Sequence, residues 1–423
     1  MDFSIVLLTC YTIAWGITLY MHIKNSRRFD ALSFFYATLV FYAFCSLLLY
    51  NDNNFSFKEL TLFPFIYLYI FLYITSLPIK QLCTCNINSI ILPSRGIIIA
   101  ISIIPIICNI VSLPNTYTSL FNSFTNVFTD SSSTLDAYLN GRELTNSTGS
   151  GISNLSAIFA NAFLCINTLM LFTVLMMPKR NRWLIIGISF SILMSILQSI
   201  SAGERGGVFQ VSICLFATFL ATYSWLPKKI RRFIMYTGLA ISLLILSVAI
   251  KMTINRFSDT AEGVENYTIY YLGQQNLYFN NYALNDNGIR YGDRTIPLFK
   301  RILGFSNVPN NYEQRRDKYK NLYINDEVFS SYIGDFTIDY GPTFAAILMI
   351  IITTWILKRT KPKDNRLYFH QLLMTHFIIC MCMQGGLELF QFSDTSGNLQ
   401  IIVYIIAYTI ARLSREETII AKY

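Results

Sequence analysis

A chain of 423 residues with 53% hydrophobic, 15% aromatic and only 13% charged residues carries about half the charge of an ordinary soluble protein. That excludes a soluble globular enzyme and implies a polytopic membrane protein. The formal net charge of +9 and pI of about 9.0 would suit a nucleic-acid binder only if the charge were gathered on one surface, and it is instead sorted by membrane side.

A bilayer core about 30 Å thick needs roughly 20 apolar helical residues to cross it. Runs of that kind lie near Phe3 to Met21, Ala31 to Tyr50, Leu60 to Ile79, Gly96 to Leu113, Ile152 to Met177, Trp183 to Ala202, Gly206 to Leu226, Phe233 to Ile250, Ile333 to Leu357, Leu367 to Gly386 and Asn398 to Ala411. The expectation is an all-α polytopic membrane protein of about eleven helices, one membrane domain over residues 1–423. A first outer loop occupies 114–151, and a large outer loop at 251–332, between helices 8 and 9, forms a cap or lid.

Basic residues collect in cytoplasmic loops, and alternate loops hold them here. Lys24, Arg27 and Arg28; Lys80 and Arg95; Lys179, Arg180 and Arg182; Lys228, Lys229, Arg231 and Arg232; Lys358, Arg359, Lys361, Lys363 and Arg366; and Arg412, Arg415 and Lys422 form one set. These 20 basic residues face four acids, a balance of +16, which leaves −7 for the other side. The N-terminus is therefore expected outside and the C-terminus inside, and no nucleic-acid partner is expected. Asp2 before the first span and basic residues after it reverse the charge order of a secretory signal, so that span reads as retained helix. Of the nine cysteines, seven lie in apolar runs, and Cys83-Thr84-Cys85 has neither the spacing nor the second pair of a zinc site. No metal or cofactor is expected.

Three stretches carry candidate chemistry. Between spans six and seven, Gly203-Glu204-Arg205-Gly206-Gly207 places an arginine among glycines at an outer helix terminus. An arginine there can chelate a phosphate through two parallel bonds, and the same residues equally make a tight turn with a snorkelling side chain. The large insert begins with Lys251 to Phe257, including Arg256, and continues with Tyr267, Tyr270, Tyr271, Tyr278, Phe279 and Tyr282 among amides. Such a pattern suits sugar rings and hydroxyls, or alternatively an interfacial aromatic belt or a small packed subdomain. Its later part holds Arg290, Arg294, Lys300, Arg301, Arg315, Arg316, Lys318 and Lys320. Outward basic residues oppose the usual sorting, so either an anionic ligand such as a lipid diphosphate or salt bridging with Glu313, Asp317, Asp326 and Glu327 accounts for them.

Third, Asp335 and Asp339 fall four apart at the head of the ninth span and so share one face. They can hold sugar hydroxyls, accept a proton or bind a metal, and they equally suit first-turn acids that favour the helix dipole. His22, His370 and His376 all lie toward the cytoplasmic half, which leaves a carboxylate or a tyrosine as any outer base. Glu388, after Gly385-Gly386, is a further candidate.

The arrangement resembles the Wzy-type oligosaccharide repeat-unit polymerases that extend bacterial O-antigen, capsular and exopolysaccharide chains. The resemblance rests on Gly203 to Gly207, on Ile254-Asn255-Arg256, on Tyr291-Gly292-Asp293-Arg294-Thr295 through Pro297-Leu298, and on Phe329 to Phe336 with Asp339-Tyr340-Gly341. It covers roughly residues 199–345 in motif and the whole chain in topology. It implies a GT-C-like fold in the bacterial cytoplasmic membrane and a glycosyltransferase that joins undecaprenyl-diphosphate-linked oligosaccharides, with a chain-length regulator and a flippase as partners. Arg205, Asp335 and Asp339 would be catalytic, and Glu204, Arg256, Arg290, Arg294, Arg301 and Tyr332 would bind substrate. The competing readings are a lipid-linked oligosaccharide flippase or other transporter, and an O-antigen ligase, which the lack of an outer histidine counts against. A third, an outer acyl or phosphoryl transferase, is weakened by the absence of that histidine and of a dense acid cluster.

Overall fold

The computed structural model describes residues 2–129, 152–201, 205–238, 247, 263–324, 326, 328–389 and 392–422. Seven helices among them are long and apolar enough to cross a bilayer: Phe3–Ser26 (α1), Ala31–Tyr50 (α2), Arg95–Leu113 within Arg95–Thr129 (α5), Arg182–Ile200 within Arg182–Ser201 (α8), Gly206–Trp225, which continues Arg205–Thr222 (α9), Pro342–Thr360 (α14) and Asp394–Leu413 (α16). Two bent pairs raise the count to nine. Leu62–Thr75 (α3) and Leu77–Thr84 (α4) meet at 45°, and Leu155–Ala162, within Ile152–Ala162 (α6), meets Leu164–Met176 (α7) at 57°. The first bend falls where Pro78 opens α4, since proline cannot donate to the preceding turn. Side chains such as Phe63, Ile66, Ile104, Ile107, Ile351 and Trp355 are exposed along these helices, as an apolar surface covered by lipid requires.

Several expected boundaries shift. Helix α5 runs on to Thr129, into the first outer loop expected at 114–151, the rest of which lies outside the described residues. Most of the expected eighth span, Phe233 to Ile250, lies outside the described residues. The tenth, Phe369–Gln384 (α15), has 16 residues, about 24 Å at 1.5 Å per residue, and is shorter than the expected Leu367 to Gly386. The ninth does not start at Ile333. Ser331–Tyr340 (α13) is a separate helix, ended by Gly341 at φ 78°, and the span begins at Pro342. A positive φ suits glycine and proline suits a first helical position, so Gly341-Pro342 both stops one helix and starts the next.

The chain packs as two compact units of discontinuous segments. The second unit, Ile87–Val264 with Pro362–Leu373 and Val403–Tyr423, contains a small sheet in an otherwise helical chain. Its strands are Ser89–Pro93 (β1), Arg366–Tyr368 (β2) and Glu416–Ala421 (β3), in the order β2-β1-β3. Strand β1 pairs parallel with β2, Ser89 opposite Arg366, and antiparallel with β3, Ser89 opposite Ala421. These strands come from three of the segments that the basic residues assign to one membrane side, and pairing requires exactly that co-location. Between this unit's helices, the Asn109 and Asn167 amides both donate to Ser191 Oγ, at 2.7 and 3.1 Å, as polar groups do between helices without water.

The first unit, Met1–Asn86 with Glu265–Lys361 and Met374–Ile402, holds the polar insert. Asp30 caps α2 through Ser33 N–H (3.0 Å) and binds His22 Nε2 at 2.9 Å, tying the end of α1 to the start of α2. Helix Gly263–Tyr278 (α10) lies against α2 at Gly273, where an added Cβ would sit 2.7 Å from the Cys45 backbone. There Ser46 Oγ donates to Gly273 O at 2.7 Å and accepts from Asn276 Nδ2 at 2.9 Å. The chain then loosens into a π-helical turn, Phe279–Ala283, whose Asn280 and Asn281 side chains bind the backbone N–H and C=O of Thr61 and Lys58. Two short helices, Pro297–Ile302 (α11) and Tyr312–Lys318 (α12), precede α13. The insert is thus docked on the α2–α3 connection and on residues 385–394, all expected on one side.

Candidate functional site

Charged side chains from four stretches of the first unit converge in a buried network. Arg290 is 1% exposed, and its guanidinium meets three carboxylates: Nε donates to Asp339 Oδ1 at 2.8 Å, Nη1 to Asp326 Oδ1 at 2.5 Å, and Nη2 lies 3.3 Å from Asp335 Oδ1. Arg294 shares Asp326 Oδ1 at 2.5 Å, places Nε 3.1 Å from Asp335 Oδ1, and donates through Nη2 to Glu388. Arg315 binds Asp326 and Asp394. Helix geometry puts Asp335 and Asp339 on one face of α13, as expected, and that face is turned onto the two arginines.

Neither aspartate has an unoccupied oxygen. Leu389 N–H donates to Asp335 Oδ2 at 2.7 Å, and Asp339 Oδ2 accepts from Thr295 N–H at 2.8 Å and Arg294 N–H at 3.3 Å. Both oxygens of each aspartate are thus already spent on guanidiniums and backbone N–H groups, which leaves neither positioned to take a substrate proton. Three guanidiniums face five acids, so the network is two negative charges in excess when all are ionised. Burial, with the nearby Asp335 and Asp326 charges added to it, pushes the Glu388 carboxyl up to about 7 despite Arg294 beside it. The three arginines hold Asp326 well below the usual carboxylate range against its burial. Arg290 and Arg294, expected to bind a diphosphate, are therefore engaged within the protein, because buried guanidiniums need buried counter-charges.

The other expected site residues are dispersed. Arg301 donates to Thr395 Oγ1 at 2.9 Å and to Pro309 O. Tyr332 is 1% exposed, with its hydroxyl against Thr75 Oγ1, and is a core residue. Arg205 opens α9 in the second unit, while its side chain, Glu204 and Arg256 lie outside the described residues. Lys300 and Lys318 both bind Asp293. Of the insert's rings, Tyr270 stacks on Phe55 at 4.8 Å between centroids, Tyr282 stacks on Tyr323 at 5.0 Å, and Lys58 Nζ lies 4.4 Å from the Tyr282 ring. These rings pack a subdomain, one of the uses expected for them.

One carboxylate outside the network differs from all of these. Asp286 is 4% exposed and forms part of the wall of an open pocket of about 290 Å³, together with Asn285, Tyr291, Thr337, Gly341 and others. Its Oδ1 accepts from Ile324 N–H at 2.8 Å, and its Oδ2 is buried from solvent. Burial pushes its carboxyl up to about 7, against the pull of the Ile324 N–H, Arg290 and the Tyr323 N–H. In the sequence it sits in Asn285-Asp286-Asn287-Gly288, which reads as a turn where Asp serves the backbone, and nothing local announces its burial.

Comparison with protein-family models, with curated proteins and with solved structures finds no match to this chain.

Proposed function

We propose that the chain is a membrane glycosyltransferase of the Wzy type, joining polyprenyl-diphosphate-linked oligosaccharide repeat units at the outer face of the bacterial cytoplasmic membrane. The observation that carries this reading is where the charge lies. Among the described residues, every Asp, Glu, Lys or Arg of the membrane-crossing helices sits within about a turn of a helix end, and apart from the His22–Asp30 pair and His376 of α15 the buried charged side chains gather in the insert and at Glu388. A transporter keeps such groups along its path within the spans, whereas a surface transferase keeps them in a cap beside the lipid. In this reading the Arg290–Arg294–Arg315 network is the frame of the cap. Contact with the donor's diphosphate falls to Arg205 and Arg256, where cationic side chains would stabilise the charge that grows on the leaving group.

Deleting the chain from its organism tests the reading. Single lipid-linked repeat units should accumulate on the outer face without long polymer, and Arg205→Ala should reproduce this with the protein still in the membrane. Repeat units trapped on the cytoplasmic face would instead identify a flippase, and full-length polymer left on its lipid carrier would identify a ligase. Normal chain-length ladders in Arg205→Ala would remove the arginine from the mechanism.

A further inference from the structure

We propose that the turn Ile302–Phe305, at the end of α11, is a membrane anchor of the cap, its side chains seated among the acyl chains of the leaflet on the insert's side. The proposal needs only that the chain spans a bilayer, and it is independent of the transferase reading.

The first support is exposure in the reverse of the usual order. Ile302, Leu303 and Phe305 are 67%, 75% and 58% exposed, while the two cations before them turn into the protein. Lys300 Nζ donates to Tyr291 O at 3.0 Å and pairs with Asp293, and Arg301 donates to Thr395 Oγ1 at 2.9 Å and to Pro309 O. A surface that faces water keeps charged heads outward and covers large apolar side chains. A contiguous apolar patch rimmed by polar groups instead marks contact with a partner or a membrane.

Depth decides between those two. Helix α16 crosses the membrane in 20 residues, about 30 Å at 1.5 Å per residue, which matches the hydrocarbon core with no turn to spare. Its first turn therefore lies at the hydrocarbon boundary, and α11 is held to that turn. Asp394 N–H donates to Arg294 O at 2.9 Å, Leu298 N–H to Asn398 Oδ1 at 3.1 Å, and Asn398 Nδ2 to Thr295 O at 2.8 Å. Toward α14, Thr295 Oγ1 is hydrogen-bonded to the Tyr340 hydroxyl at 2.8 Å, and the Tyr340 ring meets that of Phe344 at 6.0 Å between centroids. Phe344 is exposed and begins the apolar surface that runs along α14 through Ile347 and Ile351. The patch thus hangs from the boundary ends of two membrane-crossing helices, beside a surface that lipid covers, and its occupant is the bilayer.

The backbone of the turn is built for that place. Lipid accepts a chain only where its polar backbone groups are bonded internally. The Leu303, Gly304 and Phe305 N–H groups donate to Phe299 O, Arg301 O and Lys300 O at 3.0, 3.0 and 3.1 Å, the closing pattern of a helix end. Gly304 stands at φ 87°, a conformation that glycine adopts without steric cost. All three donors of the tip are therefore satisfied before it leaves water.

Photocrosslinking in the full chain tests the anchor. p-Benzoylphenylalanine is placed singly at Leu303, Phe305, Ile351 and Lys320, and each chain, shown to be folded by an unchanged thermal transition, is irradiated in nanodiscs of phosphatidylcholine and phosphatidylglycerol. Ile351, exposed on α14, reports lipid contact, and Lys320, an exposed charged position of the insert, reports water. Intact-mass spectra should show the chain plus one phospholipid from Leu303, Phe305 and Ile351, and no such adduct from Lys320. Adducts from Ile351 but from neither Leu303 nor Phe305 overturn the proposal, as does a Lys320 adduct as strong as theirs. A cross-link between two copies of the chain at Leu303 and Phe305, in place of the lipid adduct, overturns it too and makes the patch an interface between copies.

Discussion

Asp286 and Arg290 stand four positions apart, yet they belong to two regions with opposite logic. Around Arg290, every carboxylate oxygen of Asp335 and Asp339 is claimed by a guanidinium or a backbone N–H. At Asp286 the carboxyl is met by the Ile324 and Tyr323 N–H groups. The first region spends its aspartate oxygens on arginines and backbone N–H groups, as a structural frame should. The second keeps a carboxyl buried with far fewer partners, so burial dominates it and raises its pKa. Buried acids of similar sequence appearance are thus separated by their partners alone.

The sharpest way to break this comparison is to remove a frame carboxylate. Asp339→Ala leaves Arg290 Nε, Thr295 N–H and Arg294 N–H without their acceptor. It should cost about 3–5 kcal/mol, the usual penalty for orphaning a buried charge, read as early proteolysis of the insert or as a lowered melting temperature. A melting temperature equal to that of the native protein would show that the network does not hold the cap.

Asp286→Asn should act differently, through pH. The carboxyl's folded value of about 7 lies above its ordinary 3.8, so between these values the folded chain keeps a proton that the unfolded chain has lost. Stability is therefore highest below that window and falls as pH rises through it, by on the order of 4 kcal/mol at most if the whole shift acts. The asparagine variant should lose this slope while keeping the Ile324 contact. An unchanged pH profile of thermal unfolding would refute the assignment of a buried, raised carboxyl.

Smaller effects grade the two regions further. Glu388→Gln should cost about 1 kcal/mol, because a carboxyl titrating at about 7 is already partly protonated at neutral pH and the amide oxygen still accepts from Arg294. Chemical denaturation at pH 7 would measure it, and a loss as large as that of Asp339→Ala would place Glu388 among the frame's essential charges. Tyr291→Gly should raise stability by about 1 kcal/mol, since glycine occupies the left-handed region without strain. A variant that is less stable would mean the ring packs on the protein instead of standing free.

Much of the topology was legible before any coordinates. Basic residues in alternate loops predicted which segments share a side, and β1, β2 and β3 pair with one another from three such segments, while the α2–α3 connection, the insert and residues 385–394 join from the other set. That sorting is written one loop at a time, so it can be read without knowing any long-range contact. Helix ends were less legible. Apolar runs show where a helix can cross lipid but not where a helix stops, so the continuation of α5 to Thr129 and the break at Gly341-Pro342 escaped the hydropathy pattern.

The sequence by itself determined a membrane chain of apolar helices, the sorting of its loops and the pairing of Asp335 with Asp339 on one helical face, because each depends on residues close together in the chain. Only the tertiary structure decided what those residues do. It gave Arg290 and Arg294 their carboxylates from positions 326 to 388, and it buried Asp286 away from them against the backbone at Ile324. Whether a buried acid is a frame member or a raised carboxyl depends on which distant atoms reach it, and that is set by packing, not by its neighbours in sequence.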